Sequence, residues 1–155
     1  MPGDFLNPTT RQIAAFLQTI GLSITCGEVS GTPFLPGIQI RGGMLTIDEA
    51  RLKWPGDLLH EAGHLAITPA NRRALIDDDK VDDPGEELGA IAWSWAALIH
   101  LRLAPEVVFH PGGYRGGSES IIENFRERRY TGVPYLRWIG LAADDYPAMI
   151  HWLRD

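Results

Sequence analysis

Apolar positions along this chain switch between a helical and an alternating period, and the switches mark its elements. Ile13, Phe16, Leu17 and Ile20 recur at helical spacing, which predicts a helix opened by a capping box of Thr9 and Gln12 and ended at Gly21. Leu22, Ile24 and Cys26 then alternate with Ser23 and Thr25, the pattern of a short strand. A turn-rich stretch from Gly27 to Pro36 follows. Ile38 and Ile40 alternate with Gln39 and Arg41, and Leu45 and Ile47 with Thr46 and Asp48. Gly42-Gly43 between the two runs predicts a β-hairpin.

The segment from Pro55 to Ile67 reads as a buried helix that Thr68-Pro69 stops. Asn71 to Asp83 is polar and carries an acidic run, Asp77-Asp78-Asp79-Lys80-Val81-Asp82-Asp83. Such runs are usually solvated loops, and a metal-binding or substrate-steering role is the alternative. A long helix is predicted from Pro84 to about Leu103, with Leu88, Ile91, Trp95 and Leu98 at core spacing. Trp93 and Trp95 read as packing residues. Pro111-Gly112-Gly113-Tyr114-Arg115-Gly116-Gly117 predicts a flexible loop. Ser120 and Glu123 suit the cap of another helix, through Phe125 to about Tyr130, and Pro134 and Pro147 each suit the first turn of a short terminal helix. Helices dominate and the small sheet comes early, so the expected class is α+β. A single domain over residues 1–155 is expected, with a helical carboxyl-terminal part from 104 onward.

Composition narrows the chemistry. The 155 residues are 45% hydrophobic and 22% charged, ordinary for a globular chain with a real core. The formal net charge is −6, and Arg126, Arg128 and Arg129 are interleaved with Glu123 and Glu127. Direct nucleic-acid binding is therefore not expected, because it needs cationic side chains to displace counterions from phosphates. Met1-Pro2-Gly3-Asp4-Phe5 lacks the basic start and apolar run of a signal peptide. No stretch approaches the ~20 apolar residues of a membrane-spanning helix. A cytoplasmic protein with no membrane partner is the expectation. Cys26 is the only cysteine. A zinc site here must then use histidine and carboxylate, the ligand set of catalytic rather than finger-type sites.

Within the Pro55–Ile67 helix stands His60-Glu61-Ala62-Gly63-His64, an H-E-x-x-H motif. Residues four apart stack on one helix face, so both imidazoles can hold one zinc ion. Glu61 between them is then placed as general base, taking a proton as water attacks a carbonyl. A third ligand is expected from a second helix. Glu86 and Glu87 lie about 22 residues beyond His64, at the start of the next helix. Asp83-Pro84-Gly85-Glu86 reads as N-cap to N3, which gives Glu86 a capping task and favours Glu87 as ligand, with Glu86 as the alternative. Alternatively, both carboxylates merely favour the positive end of the helix dipole. Hydrolysis also needs an oxyanion donor and something to orient substrate. His110, Tyr114, Arg115 and Tyr130 are candidates because they lie in or near the Gly-rich loop. His110 reads equally as a surface turn, and Tyr130 as a core residue at a helix end. His100 and His151 read as structural.

The order of hairpin (Ile38 to Asp48), His60-Glu61-Ala62-Gly63-His64-Leu65, then Glu87-Leu88-Gly89-Ala90-Ile91-Ala92 resembles the ImmA/IrrE metallopeptidase family. The likeness covers about Ile38 to Leu98. It implies a compact zincin-like fold of the gluzincin kind, a short sheet packed on the motif helix with the next helix carrying a glutamate. It implies zinc held by His60, His64 and Glu87, with Glu61 as the catalytic carboxylate. Family members often cut, or trigger loss of, a transcriptional repressor. The resemblance thus implies limited proteolysis of a protein partner, such as a regulator encoded nearby. The chain departs from the family in lacking a recognisable DNA-binding segment. Two other readings remain open: a non-catalytic regulatory binding module on the same scaffold, and a structural helix pair in which the motif is coincidental.

Overall fold

A computed structural model describes residues 4–30, 35–78 and 83–155. The first helix, α1, runs Pro8–Ile20. Its cap is Asn7, whose side-chain oxygen accepts from the Thr9 and Thr10 amides at 2.9 and 3.1 Å. The predicted Thr9–Gln12 box does not form. Pro8 occupies the first turn, which puts the cap one residue before it, and Gln12 reaches instead to the Leu101 carbonyl. Gly21 closes the helix in the left-handed conformation, as expected of a C-terminal glycine.

Three short strands follow: β1 (Ile24–Cys26), β2 (Ile38–Arg41) and β3 (Met44–Ile47). Strands β2 and β3 form the expected antiparallel hairpin, with Ile40 opposite Leu45 and Arg41 opposite Met44. Gly42 and Gly43 both take positive φ, 55° and 74°, the two-residue turn that matches strand twist. Strand β1 pairs parallel to β3, so the spatial order is β1-β3-β2. Ile24, Ile38, Ile40, Leu45 and Ile47 are all buried, and the opposite positions are more open. The sheet therefore packs one face on the core. The exposed edge of β2 is capped by the segment after the motif helix: the Ile40 amide donates to Asp78 at 2.7 Å and the Gly42 amide to Asp77 at 2.8 Å. The start of the acidic run is thus a structural clip on the sheet; residues 79–82 lie outside the described part.

The motif helix α2 spans Asp57–Ile67 and the long helix α4 spans Pro84–Leu101, with the short α3 (Ala70–Arg73) between them. Both long helices are buried on nearly every side: in α4 every residue from Gly89 to Leu98 is. Leu88, predicted to face the core, is 41% exposed. It stands one residue before the stretch that is buried all round. Trp93 is fully buried, and its indole N–H donates to the Trp152 carbonyl at 2.9 Å. Trp95 stacks on Phe125 at 5.2 Å. Both tryptophans pack, as expected of them.

The remaining elements are α5 (Pro105–Val108), a turn at Tyr114–Gly116, α6 (Ser118–Arg126) and α7 (Val133–Trp138). Helix α6 begins earlier than expected, so Ser120 and Glu123 lie inside it rather than at its cap. Pro134 does sit in the first turn of α7. Pro147 starts no helix: it follows a cis peptide bond beside an isolated antiparallel bridge between Ala142 and Met149. The molecule is α+β, and among the described residues the buried apolar side chains other than Val29 form one cluster. No helix among the described residues is long and apolar enough to cross a membrane.

Candidate metal centre

The two long helices run antiparallel, and one small residue sets how close they come. A Cβ built on Gly63 would stand 2.9 Å from the Ala90 carbonyl oxygen and 3.3 Å from the Trp93 ring. Glycine is needed there for close helix contact rather than for a turn. Ser94 then ties the pair by donating to Leu59 at 3.2 Å and to its own helix at Ala90 at 2.8 Å. From that crossing, the first turn of α4 is carried toward the His60–His64 face of α2.

Local rules orient that first turn. Asp83 caps α4, accepting from Gly85 and Glu86 amides at 2.8 and 3.3 Å, with Pro84 at the first position. The Glu86 carboxylate turns outward to Arg72 at 3.8 Å. Glu87 turns the other way: one oxygen lies 2.7 Å from His64 Nε2 and the other 3.6 Å from His60 Nε2. Candidate ligand atoms from His60, His64 and Glu87 lie within 4.8 Å of one another. Two ligands at ordinary bond length from a tetrahedral zinc ion stand about 3.4 Å apart. The observed separations bracket that value, and two imidazoles with one carboxylate are a zinc-type donor set. The residues fit the ion.

The far end of α2 is held rigidly, which keeps the histidine face in place. The Arg73 guanidinium donates to the Leu65 and Thr68 carbonyls at 2.8 and 3.0 Å, and Arg154 donates to Ile67 at 3.2 Å. These cations satisfy carbonyls left open at the helix end and favour its negative pole.

Glu61 is buried on α2, between the two histidines in sequence. Tyr114 completes the setting from the loop between α5 and α6. Its hydroxyl lies 3.1 Å from His60 Nδ1, and its ring meets the imidazole edge-on. Burial holds the phenol well above the ordinary tyrosine range, and the charges of Asp57, Glu87 and Glu61 push it further. That direction favours the protonated phenol beside the acidic side chains of the site.

The other sequence candidates separate. His110 is not a surface turn: it is 2% exposed, bonds Asp57 through Nε2 at 2.7 Å and stacks on Trp54 at 4.2 Å. Arg115 is exposed at the outer side of the loop. Tyr130 packs against Tyr146 and Phe125, at 4.8 and 5.8 Å between rings, in an aromatic group under α6. His100 and His151 are exposed, and the His100 ring packs on Phe16.

Sequence reasoning passed over Asp57 and Trp54. Asp57 had a signal: it lies three residues before His60, on the same helix face as the motif. Trp54 had none, because its partner His110 is distant in sequence. The chain matches no protein-family model, no curated protein and no solved structure.

Proposed function

We propose that this chain is a zinc-dependent peptidase with a zincin-like arrangement, of the kind that the ImmA/IrrE resemblance implies, making limited cuts in a protein partner such as a transcriptional regulator. One observation carries the reading: two imidazoles on one helix and a carboxylate on another converge within 4.8 Å, with Glu61 buried alongside.

His60 and His64 would hold the ion through Nε2, and Glu87 through its carboxylate. Zinc bound there supplies Lewis acidity to the scissile carbonyl and to the attacking water. Glu61 takes a proton from that water at a carboxylate oxygen and passes it to the departing amine. His60 is oriented by Tyr114: with Nδ1–H donating to the phenol oxygen, the Nε2 lone pair is left for the metal. Glu86 does not take part, since its carboxylate is directed at Arg72.

Elemental analysis of the purified chain, joined to cleavage of a quenched fluorescent peptide library, tests this. One zinc per chain is expected. Glu61→Gln should keep the zinc and lower cleavage about 10²–10⁴-fold. Turnover unchanged in Glu61→Gln removes the assigned base. Zinc without any cleavage turns the reading toward a binding module on the same scaffold. A chain that takes up no zinc leaves the helix pair as structure alone.

A further inference from the structure

Asp57 and His110 are both buried, bonded to each other at 2.7 Å, and have no part in the chemistry described so far. A buried charged or polar pair of this kind needs a reason. His110 Nδ1 is also buried and makes no hydrogen bond among the described residues. The His110 ring therefore faces the interior.

The surroundings say what the pair holds. Trp54 stacks flat on the His110 ring, at 4.2 Å and 9° between planes. The Ser118 hydroxyl donates to the His110 carbonyl at 2.6 Å, which ties the far end of the same loop back to its start. A Cβ on Gly113 would stand 3.1 Å from the His110 ring, so the chain wraps closely round it. Next in line is Tyr114, with Phe109 5.1 Å behind its ring. Tyr114 and Arg115 both take left-handed backbone, φ 56° and 53°, which non-glycine residues adopt only when their surroundings over-determine it. The loop thus touches the motif helix at two points one turn apart: His110 on Asp57 and Tyr114 on His60.

We propose that Asp57 and His110 form a latch that fixes the 110–118 loop, sets the Tyr114–His60 hydrogen bond, and so tunes the affinity of the centre for zinc. This rests on the metal reading above. Asp57 and His110 are positioning residues, acting through Tyr114; Trp54 shields the latch from water and keeps its bond strong.

Competition titration of zinc against a chelator, on the full chain, tests the latch. Wild type should bind tightly. Tyr114→Phe and His110→Ala should each weaken binding about 10–100-fold, the range for losing an outer partner of a metal-bound histidine. The double variant should be no weaker than the weaker single one, because both break one linkage. Asp57→Asn, whose side-chain oxygen can still accept from His110, should stay near wild type, whereas Asp57→Ala should follow His110→Ala. Where a variant is too unstable to titrate, the visible spectrum of the cobalt-loaded Tyr114→Phe chain reads the change at His60 directly. A wild-type affinity in His110→Ala with only a lowered Tm, or additive losses in the double variant, overturns the latch. No zinc binding by wild type overturns the metal reading instead.

Discussion

His60, His64 and Glu87 come from two regular helices, while Tyr114 and His110 come from irregular backbone between α5 and α6. On the helices, spacing along the chain converts directly into position, because each residue advances by a fixed angle and rise. Their placement needs only that the helices form and cross where Gly63 allows. In the loop no repeat exists. Tyr114 meets His60 from left-handed backbone, in a loop that Trp54, Asp57 and Ser118 contact at His110. The floor of the site is thus a product of periodicity and the wall a product of distant contacts.

The sharpest way to break this comparison is at the floor. Glu87→Ala should abolish stoichiometric zinc by elemental analysis, while Glu86→Ala should keep it. Next, Gly63→Leu should push the helices apart and cost about 1–3 kcal/mol, with Tm lower by roughly 3–10 °C on thermal melting. Zinc binding should weaken with it, since Glu87 moves with α4. If zinc affinity is untouched, the crossing does not position the carboxylate.

A smaller effect is expected at the brace behind the floor. The buried Tyr146 hydroxyl donates to the Ala92 carbonyl of α4 at 2.7 Å. Tyr146→Phe should cost about 1 kcal/mol at neutral pH by denaturant titration. Burial first, and then Tyr130, hold this phenol above its usual value of 10.0. Above that pH the unfolded chain releases the proton while the folded chain keeps it. The folded state then binds more protons, so stability falls as pH rises, by about 1.4 kcal/mol per unit for this group. The deficit of Tyr146→Phe should therefore close about one unit above pH ~10. The smallest effect is expected at the outer side of the wall: Arg115→Ala should leave zinc affinity unchanged and stability within about 0.5 kcal/mol.

Particular residues show where sequence patterns carried through to structure. The hairpin was legible because two alternating runs flank Gly42-Gly43, and its turn takes the positive φ that glycine permits. The cap of α4 was legible because Asp83 precedes proline. The same logic applied to Asn7-Pro8 would have located the cap of α1, which was assigned to Thr9. Leu88 misled because α4 is buried all round from Gly89 to Leu98, so an apolar stripe has no single face to mark. Ser118 hid because its hydroxyl serves the His110 carbonyl and not a helix cap. The parallel pairing of β1 with β3 had no local sign, since strand partners are chosen across the chain.

Read alone, the residue order specified the helix that carries His60, Glu61 and His64, the hairpin, and a choice of two carboxylates opposite. Those follow from repeat and capping, which act within a few residues. Packing set the directions of Glu86 and Glu87, since Arg72 draws one outward and the helix crossing turns the other toward the histidines. Packing also brought Tyr114 and the Asp57–His110 pair to the motif helix. Contacts between residues fifty or more apart have no period to announce them, and they exist only once the chain has closed on itself.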